Sequence, residues 1–180
     1  MTHIHVLTGP ESSGKTTLAS TLSNYWSAPL ILEQSRIYLD EKSSDPTFTY
    51  QQSDLLAIAK QHLAKEHEAL LQQPQHLICD TDLLVLIVWS EVKFGHCDEY
   101  ILKIFKQQLD GANPRHYILC DWQIPWEPDP LRENPGEREQ LFRLYQAKLK
   151  DYGIDYTAVS GSNMQRFNQV HPPLMHLTTL

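Results

Sequence analysis

An α/β fold built on a mostly parallel sheet is the class this sequence predicts, on three observations. Short apolar runs alternate with stretches of helical periodicity, the order that joins parallel strands through crossover helices. Five such runs each stop at a polar residue or a turn. They are Ile4 to Leu7 before Thr8-Gly9-Pro10, Leu30 to Leu32 at Glu33, His76 to Cys79 at Asp80, Tyr117 to Cys120 at Asp121, and Tyr156 to Val159 at Ser160-Gly161. Neither an internal repeat nor a low-complexity linker interrupts them, so residues 1–180 are expected to form a single domain, a usual size for one.

The segments between the strands read as helices with recognisable ends. One opens near Gly14 and continues from Leu18 to Tyr25. Asp40 to Pro46 is polar and reads as turn. Thr49-x-x-Gln52 has capping-box spacing, Leu56, Ala59, Leu63 and Leu70 recur at helical intervals, and Pro74 marks the end. Leu83 to Phe94 is apolar but too long for a strand, which predicts a buried helix stopped by Gly95. Another helix covers Glu99 to Leu109. Ile124 to Pro135 holds Pro125, Pro128, Pro130 and Pro135 and is read as loop, followed by a helix from near Asn134 to about Tyr152. Pro172-Pro173 predicts a loosely ordered tail over residues 171–180.

Composition narrows the function classes. At 180 residues a chain buries about two thirds of its surface and needs no disulfide or metal staple. Fifteen Lys and Arg against 22 Asp and Glu give a net charge of −7, which argues against nucleic acid as the main ligand. The longest apolar run, Leu83 to Trp89, is far short of the ~20 residues that span a bilayer, so no membrane partner is expected. Met-Thr-His-Ile-His is not a secretory leader, and Cys79, Cys97 and Cys120 form no CxxC pair. A cytoplasmic chain with reduced thiols is expected, and a zinc site is not. The nine histidines show no ligand spacing and read as structural or surface residues. The sequence leaves a homo-oligomer open.

Gly9-Pro10-Glu11-Ser12-Ser13-Gly14-Lys15-Thr16 fits G-x-x-x-x-G-K-[ST] in full, after a predicted strand and at the start of a predicted helix. Its glycines let backbone N–H groups curl inward onto phosphate oxygens, and the helix N-terminus adds positive potential. Gly9, Glu11, Ser12, Ser13, Gly14, Lys15, Thr16 and Thr17 are therefore the expected ATP contacts. Lys15 reaches the β- and γ-phosphates and the Thr16 hydroxyl ligates Mg²⁺. No Asn-Lys-x-Asp run of the guanine-binding type occurs.

Phosphoryl transfer to an alcohol also needs a metal-side carboxylate and a carboxylate at the acceptor hydroxyl. Glu33, Asp80 and Asp121 close strands, which places them on the sheet edge that carries the phosphate loop. Asp80, after Leu77-Ile78-Cys79, is the expected Mg²⁺ carboxylate. Asp82 is open between facing the substrate and capping the helix at Leu83, and either Glu33 or Asp82 is the expected base.

These motifs together carry a family likeness. Gly9 to Leu18, Glu33-x-x-Arg36-x-Tyr38, Asp80-Thr81-Asp82 and the stretch from Asp121 through Arg138 resemble the ribosylnicotinamide kinase domain of bacterial NadR-like proteins, over roughly residues 3–168. The resemblance implies a P-loop NTPase of adenylate-kinase type: a three-layer α/β/α fold with a five-stranded parallel sheet and a lid. It further implies transfer of the ATP γ-phosphate to the 5′-hydroxyl of nicotinamide riboside. Adenylyltransferase and repressor roles of fused relatives are not carried over. Glu33, Arg36, Tyr38 and Asp82 become substrate-side groups, and Trp89, Trp122 and Trp126 stacking walls for a flat cationic ring. Arg132 and Arg138 are expected to close over the phosphates as a lid, because Arg138 would sit in a helix first turn, a place that disfavours cations unless an anion arrives. Another nucleoside or small alcohol as acceptor, and a slow ATPase module without an acceptor, stay open.

Overall fold

The computed structural model describes residues 1–42, 47–127 and 136–175, the last four by backbone only. Five strands form one parallel sheet: β1 (His3–Thr8), β2 (Leu30–Ile31), β3 (His76–Asp80), β4 (Arg115–Cys120) and β5 (Tyr156–Val159), in the order β2-β3-β1-β4-β5. β1 pairs with β3 from His3↔His76 to Leu7↔Asp80, and with β4 from Ile4↔Arg115 to Thr8↔Leu119. All strands point the same way, so the residues that follow β1, β3 and β4 meet at one edge.

The alternation of side chains along each strand divides the core into two layers. Val6, Leu77, Cys79, Tyr117 and Leu119 face α3 (Gln52–Leu71), α4 (Leu83–Phe94), α5 (Glu99–Leu109) and α6 (Arg138–Asp151). Leu7, Ile78, Ile118, Cys120 and Val159 face α1 (Lys15–Trp26) and α7 (Asn163–Met175). This is the expected three-layer sandwich. α4 and α5 occupy the predicted spans, capped by Asp82 and Asp98, whose carboxylates accept from Leu84 and Tyr100 backbone N–H groups, and α4 ends on left-handed Gly95.

Four expectations about local structure need correction. α2 (Gln34–Lys42) occupies the start of the stretch read as turn. Its Tyr38 hydroxyl donates to Asp54 at 2.7 Å, tying a polar helix to α3. The capping box of α3 is Gln51 with Asp54, not Thr49 with Gln52. α6 begins at Arg138 after Glu137, and the expected start near Asn134 lies outside the described residues. Finally, α7 was not foreseen, and its backbone runs through Pro172-Pro173 to Met175. It packs on α1 and β5 through Val170 and Phe167.

Candidate functional site

The phosphate loop lies between β1 and α1. Gly9 adopts φ +131°, and a Cβ there would stand 2.5 Å from the Cys120 carbonyl oxygen, so only glycine lets β1 turn beside β4. Gly14 at φ +77° begins α1, and Ser12 is held at φ +50°, a left-handed conformation unusual for serine and often found at ligand sites. The Lys15 ammonium folds back to donate to the carbonyls of Gly9 (3.1 Å) and Pro10 (2.7 Å). The Thr16 hydroxyl donates to Asp80 Oδ2 at 2.6 Å. Asp80 Oδ1 and Ser13 Oγ are buried with no hydrogen-bond partner. Burial raises the Asp80 carboxyl above its usual range, against the opposing effects of the Thr16 hydrogen bond and the Lys15 charge.

A cavity of about 420 Å³ extends from this loop. Gly9 through Thr17 form one wall, with Glu33, Ser35 and Arg36 beside it and an apolar side of Val85, Val88, Trp89 and Leu141 closed by Tyr145. Glu33 accepts from the Ser35 hydroxyl at 2.7 Å. The Trp89 indole N–H donates to the Tyr50 hydroxyl at 2.8 Å, which fixes the ring in the wall.

The loop after β4 crosses the phosphate loop. Arg138, at the start of α6, donates to the carbonyls of Ser12 (3.1 Å) and Ile124 (2.9 Å) and lies over the Trp126 ring, while the Glu127 N–H reaches Ser12 Oγ at 3.0 Å. Arg132 lies outside the described residues.

Several substrate-side expectations fail on geometry. Asp82 is 2% exposed and does not line the cavity. It caps α4, accepts from the Tyr117 hydroxyl at 2.6 Å, and lies 3.8 Å from an Arg115 nitrogen. Its carboxyl is raised by burial, with Arg115 and Tyr117 opposing. Asp82 is therefore sealed in the core and not available as a base. Tyr38 is turned to Asp54, and neither Trp122 nor Trp126 is part of the cavity wall. Asp121 follows β4 at the expected edge but pairs with Arg166.

Two groups escaped the sequence reading. Arg166 of α7 is 2% exposed and donates to the carbonyls of Ser13 and Gly161 and to Asp121. Its only signal in the sequence is a lone basic residue between the fifth strand and the Pro172-Pro173 tail. The second is His62, Glu66 and Cys79, whose donor atoms lie within 4.8 Å of one another in the core. The Glu66 carboxylate is already paired with Arg115, and burial pushes the Cys79 thiol well up, which keeps it protonated. Desolvation acts to raise Glu66, but His62 and Arg115 outweigh it and hold the carboxyl below its ordinary value.

A phosphate loop on the central strand, a buried carboxylate on its neighbour and a strand order that interposes β3 between β1 and β2 define a P-loop α/β protein. The chain belongs to the family described as AAA domain, whose model matches residues 4–166. No curated protein matches it in sequence. In structure it is similar to NadR protein in complex with NR, with a TM-score of 0.75 and 17% identity, covering 99% of this chain and 51% of that one. NadR protein in complex with NAD and AMP-PNP gives 0.70 and 19%, covering 95% and 49%. Thymidylate kinase from Ehrlichia chaffeensis gives 0.63 and 19%, covering 99% of both chains. These likenesses share the fold, and the chain spans about half the length of the NadR chains.

Proposed function

We propose that this chain is an ATP-dependent kinase that phosphorylates the 5′-hydroxyl of a nucleoside, with nicotinamide riboside the favoured acceptor. The observation that carries the reading is the continuity of one cavity, from the phosphate loop to a carboxylate and an aromatic wall. Such a space seats a donor and an acceptor together, which removes much of the entropic barrier to transfer. A nucleoside kinase fold also recurs among the structural neighbours, including deoxyadenosine kinase from M. mycoides at a TM-score of 0.63 and 13% identity, covering 98% of this chain and 100% of that one.

In this reading Lys15 leaves the Gly9 and Pro10 carbonyls for the phosphate oxygens, and the loop N–H groups hold the β-phosphate. The partnerless Asp80 Oδ1 beside the Thr16 hydroxyl fits Mg²⁺, which Thr16 and Asp80 would hold. Held there, Mg²⁺ would offset the negative charge of the phosphates during transfer. Glu33 orients the acceptor hydroxyl and accepts its proton, and Arg36 binds beside it. The Trp89 wall packs the base, and a cationic pyridinium suits that aromatic neighbour. Arg138 and Arg132 shield the phosphates from water.

The test is ADP release with Mg-ATP and a panel of nucleosides that includes nicotinamide riboside. Turnover stimulated by one nucleoside, and lost with Glu33→Gln while ATP binding persists, supports the kinase. ADP release that no acceptor stimulates overturns it in favour of an ATPase module.

A further inference from the structure

We propose that Arg166 is a positioning residue for the phosphate loop, a splint from α7 that aims the loop's N–H donors at the nucleotide. The proposal rests on the reading that this loop binds ATP. Four observations carry it. Arg166 ranks among the largest fully buried side chains of the described residues, so it is not a solvated surface cation. One guanidinium nitrogen donates to the Ser13 carbonyl and another to Asp121, while its Nε donates to Gly161 at 2.8 Å. A Cβ on Gly14 would lie 3.3 Å from the guanidinium, so the side chain rests directly against the loop. Ser13 Oγ is buried without a partner, and that residue's position is set by its carbonyl's bond to Arg166.

The geometry explains why an arginine stands here. A peptide plane is rigid, so holding the Ser13 carbonyl outward on Arg166 turns the following Gly14 N–H to the opposite side, where phosphate oxygens would lie. Asp121 neutralises the guanidinium, which makes the contribution geometric and not a matter of net field. The fork of donors reaches a carboxylate and a carbonyl at the same time, which a lysine ammonium does with far less directional control. Gly161 and Asp121 follow β5 and β4 respectively, so the splint braces the loop against two strand ends.

The test compares the wild type, Arg166→Lys, and the double variant Asp121→Asn/Arg166→Met, which leaves no unpaired buried charge. ATP dissociation constants are measured by calorimetry without acceptor, together with melting temperatures and amide hydrogen exchange over residues 12–17. The expected result is ATP binding weakened at least ~10-fold in the double variant and less in Arg166→Lys. Exchange at the loop rises, and KM for the acceptor stays within about 2-fold. A merely structural arginine would lower the melting temperature and leave ATP affinity of the folded protein unchanged, and that outcome overturns the proposal. Should the double variant not fold, Arg166→Lys decides: unchanged affinity and unchanged loop exchange overturn it. Wild-type protein that binds ATP but shows no acceptor-stimulated turnover would sink the kinase reading and leave this inference standing. Wild-type protein that does not bind ATP overturns both.

Discussion

The two ends of the sheet carry opposite chemistry. At the carboxyl ends of the strands Glu33 and the phosphate loop border a cavity, Asp80 lies behind the loop on the Thr16 hydroxyl, and buried polar atoms on Asp80 and Ser13 are left without partners. At the amino ends His5, His76 and His116, one from each of three adjacent strands, share the face that meets α1, with Trp26 stacked on His5 and His76. That end is closed by its own rings: His5 Nε2 and His76 Nδ1 bond to each other at 2.9 Å and His116 bonds to Thr157, while His5 Nδ1 is buried without a partner. Unmet hydrogen-bonding capacity therefore occurs at both ends, and what separates them is space: one end opens on a cavity that can admit a ligand, whereas at the other stacked rings pack against one another. The same strands supply both.

The largest effect expected from this contrast is at the cavity end. Lys15→Ala should lower kcat by ~10²–10³, the usual loss for a group that holds transition-state charge. The melting temperature should hardly change, because among the described residues the Lys15 ammonium bonds two loop carbonyls and nothing in the core. Steady-state kinetics and a thermal melt check this, and a variant with more than a tenth of wild-type kcat would remove Lys15 from the chemistry.

Asp82 sharpens the comparison by lying at the cavity end yet belonging to the core. Asp82→Ala should cost about 2–3 kcal/mol of stability, from loss of the α4 cap and of the charged bond to Tyr117. Folded protein should keep its KM for acceptor. Asp80→Asn should behave in the reverse way, shifting metal dependence with little change in denaturation midpoint. Matching profiles for the two variants would show that the cavity boundary has been drawn in the wrong place.

This pair also shows what the sequence conveys. Period-2 alternation puts Asp80 and Asp82 on one face, and from the triplet alone both look like site residues. The strand ends at Asp80, however, and Thr81 adopts φ +75°, a conformation that a threonine rarely takes. Asp82 is thereby swung into the layer of Cys79 and Arg115, and no local rule announces such a turn at threonine. The phosphate loop was legible because all of its determinants are contiguous. α4 and α5 were legible because apolar length, caps and Gly95 agree. α2 and α7 were not, since their polar sequences are held by distant partners: Tyr38 by Asp54, and Arg166 by Ser13 and Asp121.

A smaller effect is expected at Arg138. It donates to Ser12 and Ile124 carbonyls, so it fastens the loop after β4 to the phosphate loop. Arg138→Ala should lower kcat ~10-fold with a stability loss of no more than about 2 kcal/mol, because its two hydrogen bonds at a half-exposed site contribute about 1 kcal/mol each. Full turnover in this variant would make the segment a connector and not a lid. Arg132→Ala, measured alongside, tests the other guanidinium proposed for that role.

The smallest effect belongs to the closed end and appears only in acid. Burial, aided by the positive potential of His76, His116 and His3, lowers the His5 pKa from 6.5 to about 3. His76 and His116 are lowered too, mainly by burial. A group whose folded pKa is depressed binds fewer protons folded than unfolded, so stability is present above the unfolded value near 6.5 and falls as pH drops toward 3. At pH 5.5 the loss from His5 alone should be about 1 kcal/mol relative to pH 7.5. Chemical denaturation at the two pH values measures it. His5→Phe keeps a ring against Trp26 and removes the titrating group, so its stability should vary less with pH, at the cost of the bond to His76. If wild type and variant lose equal stability between pH 7.5 and 5.5, the acid sensitivity lies with other groups. The closed end would then be held by ring stacking irrespective of the charge on His5.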